Sequence, residues 1–176
     1  MNDNALIKVL REVLLTGLAA NGQGSVPVKQ AFQPTQQGAN TDATVYFFKL
    51  EDQRYGFGSR IYEQGDLSEK QRYITTFQIE AWVRQIPQAV VDYSQLTASD
   101  LVNLCARILA SQAAINTFST NKIGVLRSTE VRNPYFKDDR GQNEASPSFD
   151  IQLTHGDTST STVPATSETE FKIYEV

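Results

Sequence analysis

Near the start of the chain, Leu6, Val9, Leu10, Val13, Leu14 and Leu18 recur at three- and four-residue steps. That spacing gathers all six on one face of a helix. Asn2, Asp3 or Asn4 can cap it, and Asn21-Gly22 should stop it, because both residue types accept the left-handed conformation that ends helices. Val26, Val28, Ala31 and Phe32 suggest a short strand or a packed loop, and residues 32–43, rich in Gln, Gly, Pro and Thr, read as an extended exposed loop.

The pattern then turns to strands. Residues 44–50 (TVYFFKL) are β-branched or aromatic on both parities, which predicts a strand covered on both faces. Glu51-Asp52-Gln53 reads as a polar turn into a second strand, residues 54–63 (RYGFGSRIYE), completing a β-hairpin. On that strand Tyr55, Phe57 and Ile61 share a parity and are expected in the core, leaving Arg54, Arg60 and Tyr62 to face solvent or a partner. Gly56 and Gly58 permit a bulge. The clearest alternation covers residues 71–84, with Tyr73, Thr75, Phe77, Ile79, Ala81 and Val83 on one face. Trp82 and Ile74 lie on the other, mostly polar face, where Trp82 is either part of a second core or an interface anchor.

A second helix opens at Thr97, with Asp100 three residues later as in a capping box, and presents Leu101, Leu104, Cys105, Ile108 and Leu109 before ending ahead of Asn121. Residues 124–132 and 147–155 predict two further strands, joined by a long polar loop at 133–146. Residues 156–170 (GDTSTSTVPATSETE) hold almost no large apolar side chain and so predict a flexible arm. It delivers the alternating Phe171, Ile173, Tyr174 and Val176, which suits a sheet edge. The fold class expected is α+β: a mainly antiparallel twisted sheet of about five or six strands with two helices on one face, plus an extended C-terminal arm. Residues 1–155 form the single domain and 156–176 the arm.

Composition narrows the function. At 176 residues and 40% hydrophobic, one domain can bury about 70% of its unfolded surface. A net charge of -4 gives no overall attraction to nucleic acid or anionic membranes. No apolar run approaches the roughly 20 residues needed to span a bilayer, and no secretory leader is evident, so a cytosol-like setting is expected.

Chemistry is sparse. The one histidine, His155, and the one cysteine, Cys105, are the only route to a Cys/His or Ser/His site, and a cysteine on an apolar helix face is ordinarily inert packing. Asp138, Asp139 and Glu144 can in principle hold a divalent cation, but their spacing does not match an EF-hand, and a solvated loop of mixed charge accounts for them. Gly56-Phe57-Gly58 lacks the Lys-Ser/Thr ending of a phosphate loop. Arg54, Tyr55, Phe57, Arg60 and Tyr62 have the composition of a nucleic-acid surface, against the simpler reading of aromatics in the core. No catalytic, cofactor-binding or metal-binding residues are expected, and no cofactor.

The aromatic strand at Tyr46 to Leu50, the acidic turn, and then Arg54-Tyr55-Gly56 with Gly58 and Arg60 resemble a segment of the neck and tail-terminator (gateway) proteins of tailed bacteriophages. The order of helix, hairpin, long strand, helix and further strands is similar over roughly Asn4 to Leu153. The resemblance implies a non-enzymatic virion protein of the neck, assembled in the host cytoplasm. It further implies a homohexameric ring that terminates the tail tube, with head-completion or adaptor proteins above, tail tube and sheath proteins below, and genomic DNA passing through the lumen without sequence-specific binding. No membrane partner is implied. The alternative is another tail component, such as a tube, baseplate or tail-completion subunit; a nucleic-acid-binding module or small enzyme stands further off.

Overall fold

The computed structural model describes residues 3–31, 43–63, 66–83, 96–137 and 143–162. The first helix, α1 (Asp3–Ala20), buries the six residues its spacing singles out. It ends in a Schellman turn: Gly22 takes a φ of 75°, Gln23 N donates to Leu18 O at 2.8 Å and Gly22 N to Ala19 O at 3.2 Å, which satisfies carbonyls the helix leaves open. A short strand, β1 (Val28–Gln30), follows.

Two long strands come next, β2 (Thr44–Glu63) and β3 (Asp66–Trp82). Then come α2 (Ala98–Leu109), α3 (Gln112–Thr120), β4 (Gly124–Ser128), β5 (Tyr135–Lys137), β6 (Asn143–Ala145) and β7 (Ser148–Thr162). The main sheet has the order β1-β2-β3-β7-β4, while β5 and β6 form a separate two-stranded ribbon. β1 runs parallel to β2, and the other neighbours are antiparallel. The fold is therefore α+β, as its patterning implies, with three helices among the described residues.

The core lies between the helices and one face of the sheet. Val45 and Phe47 of β2, Phe77 and Ile79 of β3, and Phe149, Ile151 and Leu153 of β7 meet Leu10, Leu14, Leu101 and Leu109 of the helices, all essentially inaccessible. Burying each such side chain contributes about 1.5–3 kcal/mol. Gly17 sets how closely α1 and α2 approach, since a Cβ there would lie 2.2 Å from Ile108 Cγ2. The capping box of α2 is present, with Asp100 N donating to Thr97 Oγ1 at 3.0 Å and Thr97 N to Asp100 Oδ2 at 3.2 Å.

Several expectations are corrected. Residues 44–50 are fully covered on the helix side alone: Val45 and Phe47 are inaccessible there, whereas on the other face Thr44 is buried, Tyr46 and Phe48 are half-buried, and Leu50 is exposed. Glu51-Asp52-Gln53 do not turn: they pair with Thr76, Thr75 and Ile74, and a register shift between Lys49 and Glu51 absorbs the irregularity. The hairpin is thus β2 with β3, reversing after Glu63. The second helix is two, since Ser111 adopts an extended conformation and its side chain accepts from Ala114 N to cap α3. The polar stretch at 133–146 contains the β5–β6 ribbon. The strand expected at 147–155 continues to Thr162, and its residues from Gly156 pair with Arg72 back to Asp66. Backbone pairing holds this Ser/Thr tract although it buries no apolar side chain. Residues 32–42 and the strand-like segment 171–176 lie outside the described residues. No helix among those described is long and apolar enough to cross a membrane.

Candidate assembly surface

The three central strands outrun the helices. Beyond the core they form a blade made of residues 51–63 of β2, 66–74 of β3 and 155–162 of β7. Every residue from 51 to 63 and from 156 to 162 is exposed. Tyr55, Phe57, Ile61 and Tyr62 are 57%, 105%, 40% and 66% exposed, so the three expected in the core are not there. The cause is the irregularity at Leu50: the register shift between Lys49 and Glu51 switches the parity of β2, so Tyr55 and Ile61, opposite Arg72 and Ser68, fall on the face away from the helices.

Phe57 sits on a bulge. Tyr55 pairs with Arg72 and Ser59 with Lys70, which leaves residues 56–58 opposite Gln71. Gly56 takes a φ of 68°, a conformation glycine adopts without steric cost. The Gln71 amide fixes the bulge by donating to Tyr55 O at 3.2 Å and bonding Arg72 O at 2.9 Å. Phe57 is thereby held out in solvent. On the side of the blade continuous with the core face, Arg60 pairs with Glu69 at 2.7 Å. Arg54, Arg60, Glu69, Lys70 and Asp157 line a shallow cleft there, and its charges are of both signs. A second, more apolar cleft lies between the helices, lined by Val13, Gly17, Leu104, Ile108 and Ala114.

At the root of the blade the polar groups form one chain. Lys49 Nζ donates to Asp3 and, at 2.6 Å, to Asp52 Oδ2. The Thr75 hydroxyl donates to Asp52 Oδ1 at 2.7 Å and lies 2.9 Å from His155 Nε2. Its single proton is spent on Asp52, so His155 Nε2 must carry the hydrogen and donate to Thr75. His155 is buried, Tyr73 stacks on it at 5.7 Å, and its Nδ1 finds no partner among the described residues. Burial pushes His155 below its ordinary value, against the upward pull of Asp52, Asp3 and Asp157. Burial also pushes the Asp52 carboxyl up, but the hydrogen bonds from Lys49 and Thr75 outweigh it and hold the group low. For Lys49, burial works downward and the bonds to Asp3 and Asp52 win, raising it.

The residues singled out for chemistry are not brought together. Cys105 faces the core from α2, and burial pushes its thiol up to about 12. It is a packing residue, whereas His155 is tied to Thr75. Asp138 and Asp139 lie outside the described residues, and Glu144 pairs opposite Phe136 in the ribbon. Trp82 ends β3 on the face away from the described helices, opposite Thr44 and 36% exposed, so none of those helices covers it. Sequence reasoning missed the Asp52–Thr75–His155 chain. The signal was present in parity, since Thr75 and His155 fall on the core-facing side of their strands, where a polar residue requires a partner.

The sequence matches the family described as E217 gateway protein gp29 over residues 5–165. No curated protein matches it. Among solved structures, the fold is similar to that of the sheath/tube terminator of the extracellular contractile injection system PVC, determined by cryo-EM in the extended state. The TM-score is 0.54 at 11% sequence identity, and the alignment covers 100% of this chain and 65% of that one. At that identity the likeness is one of fold, and this chain spans just under two thirds of the terminator's length. The family match covers nearly the whole sequence, including both the helix-covered core and the blade, and the chain belongs to the E217 gateway protein gp29 family.

Proposed function

We propose that this protein is a structural subunit of a phage virion that terminates the tail tube at the neck. Copies assemble as a ring, six-fold by the family resemblance, with head-completion proteins on one side, tail tube and sheath on the other, and DNA passing through the lumen. Family membership supports the neck assignment, and the similarity of fold to a sheath/tube terminator agrees with it. The observation that carries the assembly reading is the blade. Between residues 55 and 63 the three strands bury no side chain on either face, and a small isolated sheet without a covered apolar face is marginal in water. Exposed Phe57, Tyr62 and Tyr55 are the residue types that anchor protein interfaces. A partner that covers the blade supplies what the chain's own core does not.

The role is read as structural, and membership of the gateway family supports it. The test is light scattering and negative-stain imaging of the purified protein, alone and with its tail-tube protein. Rings, or stacked rings capping tubes, are expected. Monomers under both conditions would contradict the proposal.

A further inference from the structure

The blade has two open edges at the same level, and they fit each other. Among the described residues, β1 flanks β2 only along Val45 to Phe47, and β4 flanks β7 only as far as Thr154. On the β2 side the bulge interrupts regular pairing, so the usable edge above it is residues 59–63. On the β7 side residues 158–162 (TSTST) contain no charge and no proline, the devices that ordinarily keep an edge from pairing. Through β3 these segments stand at one height, since Ser59 and Thr158 both oppose Lys70, and Glu63 and Thr162 both oppose Asp66 or its register. Each segment is five residues long.

Direction follows from topology. β2 and β7 are each antiparallel to β3, so they run the same way. In a closed ring every copy keeps its orientation to the axis and there is no rise between copies. The β7 edge of one copy then meets the β2 edge of the next in parallel and at equal height. Faces match too: Ile61 and Thr160 both oppose Ser68, and Tyr62 and Ser161 both oppose Leu67. Pairing at this level sets a small hydroxyl residue beside each exposed apolar one.

We propose that residues 158–162 of one copy pair as a parallel strand with residues 59–63 of a second copy, joining the blades edge to edge around the ring. This rests on the ring reading above and adds the surface and register by which copies join. Disulfide trapping tests it. Within one chain, Ile61 and Thr160 are separated by the intervening strand, about 10 Å, too far for a disulfide, so any bond between cysteines placed there joins two copies. The native Cys105 is buried and stays silent. Mixing Ile61→Cys with Thr160→Cys should convert up to about half of the protein to covalent dimer, the ceiling for random mixing in a ring, while each variant alone does not. The double variant should give a ladder ending at the ring size. Ile61→Cys mixed with Leu126→Cys, an exposed position on β4, sets the collisional background. Rings in the microscope with cross-linking no higher than that background, in this register or with Thr158→Cys or Thr162→Cys, would overturn the edge pairing and leave the ring standing. A bond from Thr160→Cys to Ile173→Cys in its place would assign the edge to the chain's own terminal segment and equally overturn it. Monomers throughout, with tail-tube protein present, overturn both.

Discussion

The same three strands serve two regions that differ in nearly every physical respect. In the lower half, Phe47, Phe77, Ile79, Phe149 and Ile151 are inaccessible beneath three helices. In the upper half, the continuation of those strands exposes Tyr55, Phe57 and Tyr62. The register shift between Lys49 and Glu51 switches the alternation of β2 at the boundary, and beyond it none of the described helices lies opposite. A strand pattern therefore specifies which face a residue takes only between bulges, and burial depends besides on a second layer that the strand does not encode. On the assembly reading, that layer comes in the blade from another molecule. The lower half is built for stability and the upper half for contact, and this division is open to experiment.

The largest expected effect is in the core. Phe77→Ala removes a ring that packs against Phe47 with centroids 6.3 Å apart and should cost about 3–5 kcal/mol, read as a lowered urea midpoint. A loss under 1 kcal/mol would mean that the sheet–helix core is not the seat of stability. Next is the helix crossing. Gly17→Ala drives a Cβ to 2.2 Å from Ile108 Cγ2 and should cost about 1–3 kcal/mol. Adding Ile108→Ala makes room, so the double variant should lose less than the sum of the two single ones.

These two sites also show what the sequence can disclose. The face of α1 and the capping box at Thr97 and Asp100 were legible because helical spacing and caps are local. The core parity of β3 and β7 was legible because one face is covered along residues 75–81 and 149–155. The extent of the strands was not. Tyr55, Phe57 and Ile61 alternate like core residues in the sequence, but the register shifts at Lys49/Glu51 and Tyr55/Ser59 take them off the core face, and a bulge leaves no mark in the hydrophobic pattern. Residues 156–162 look unable to fold because their support is backbone pairing with β3, which composition does not report. The family motif at Arg54-Tyr55-Gly56 did fall on the blade. The His155–Thr75 contact spans 80 positions of sequence, so only the sheet register brings it together.

The root of the blade gives a smaller and pH-dependent effect. Because burial holds His155 below its ordinary value of 6.5, the unfolded chain takes up its proton first as the solution is acidified. Stability from this group is therefore complete above about pH 6.5 and declines as pH falls toward the depressed folded value. Asp52 is also held low, by its hydrogen bonds from Lys49 and Thr75 against burial, and its contribution is lost only as pH falls below its ordinary 3.8. His155→Gln, whose amide can still donate to Thr75, should flatten the decline between these two ranges and leave the steeper acid loss that depends on Asp52. An unchanged slope in urea unfolding from pH 6.5 to 5 would remove His155 from the account.

The smallest stability effect should accompany the largest effect on assembly, and this is the sharpest test of the division. Phe57 is displayed by a glycine bulge and touches little of its own chain, so Phe57→Ala should shift unfolding by no more than about 0.5 kcal/mol. Tyr62→Ala should behave alike. If the blade is a contact surface, either variant should shift the light-scattering profile toward monomer, or weaken capture of the tail-tube protein, at unchanged thermal stability. Gln71→Ala separates anchor from scaffold: it leaves Phe57 in place but frees the carbonyls of Tyr55 and Arg72, and should weaken assembly less than Phe57→Ala does. Should Phe57→Ala unfold the protein as readily as Phe77→Ala, the blade belongs to the fold's own stability. Should it leave both stability and assembly untouched, the contact lies elsewhere on the surface, with Trp82 on the face away from the described helices the next position to substitute.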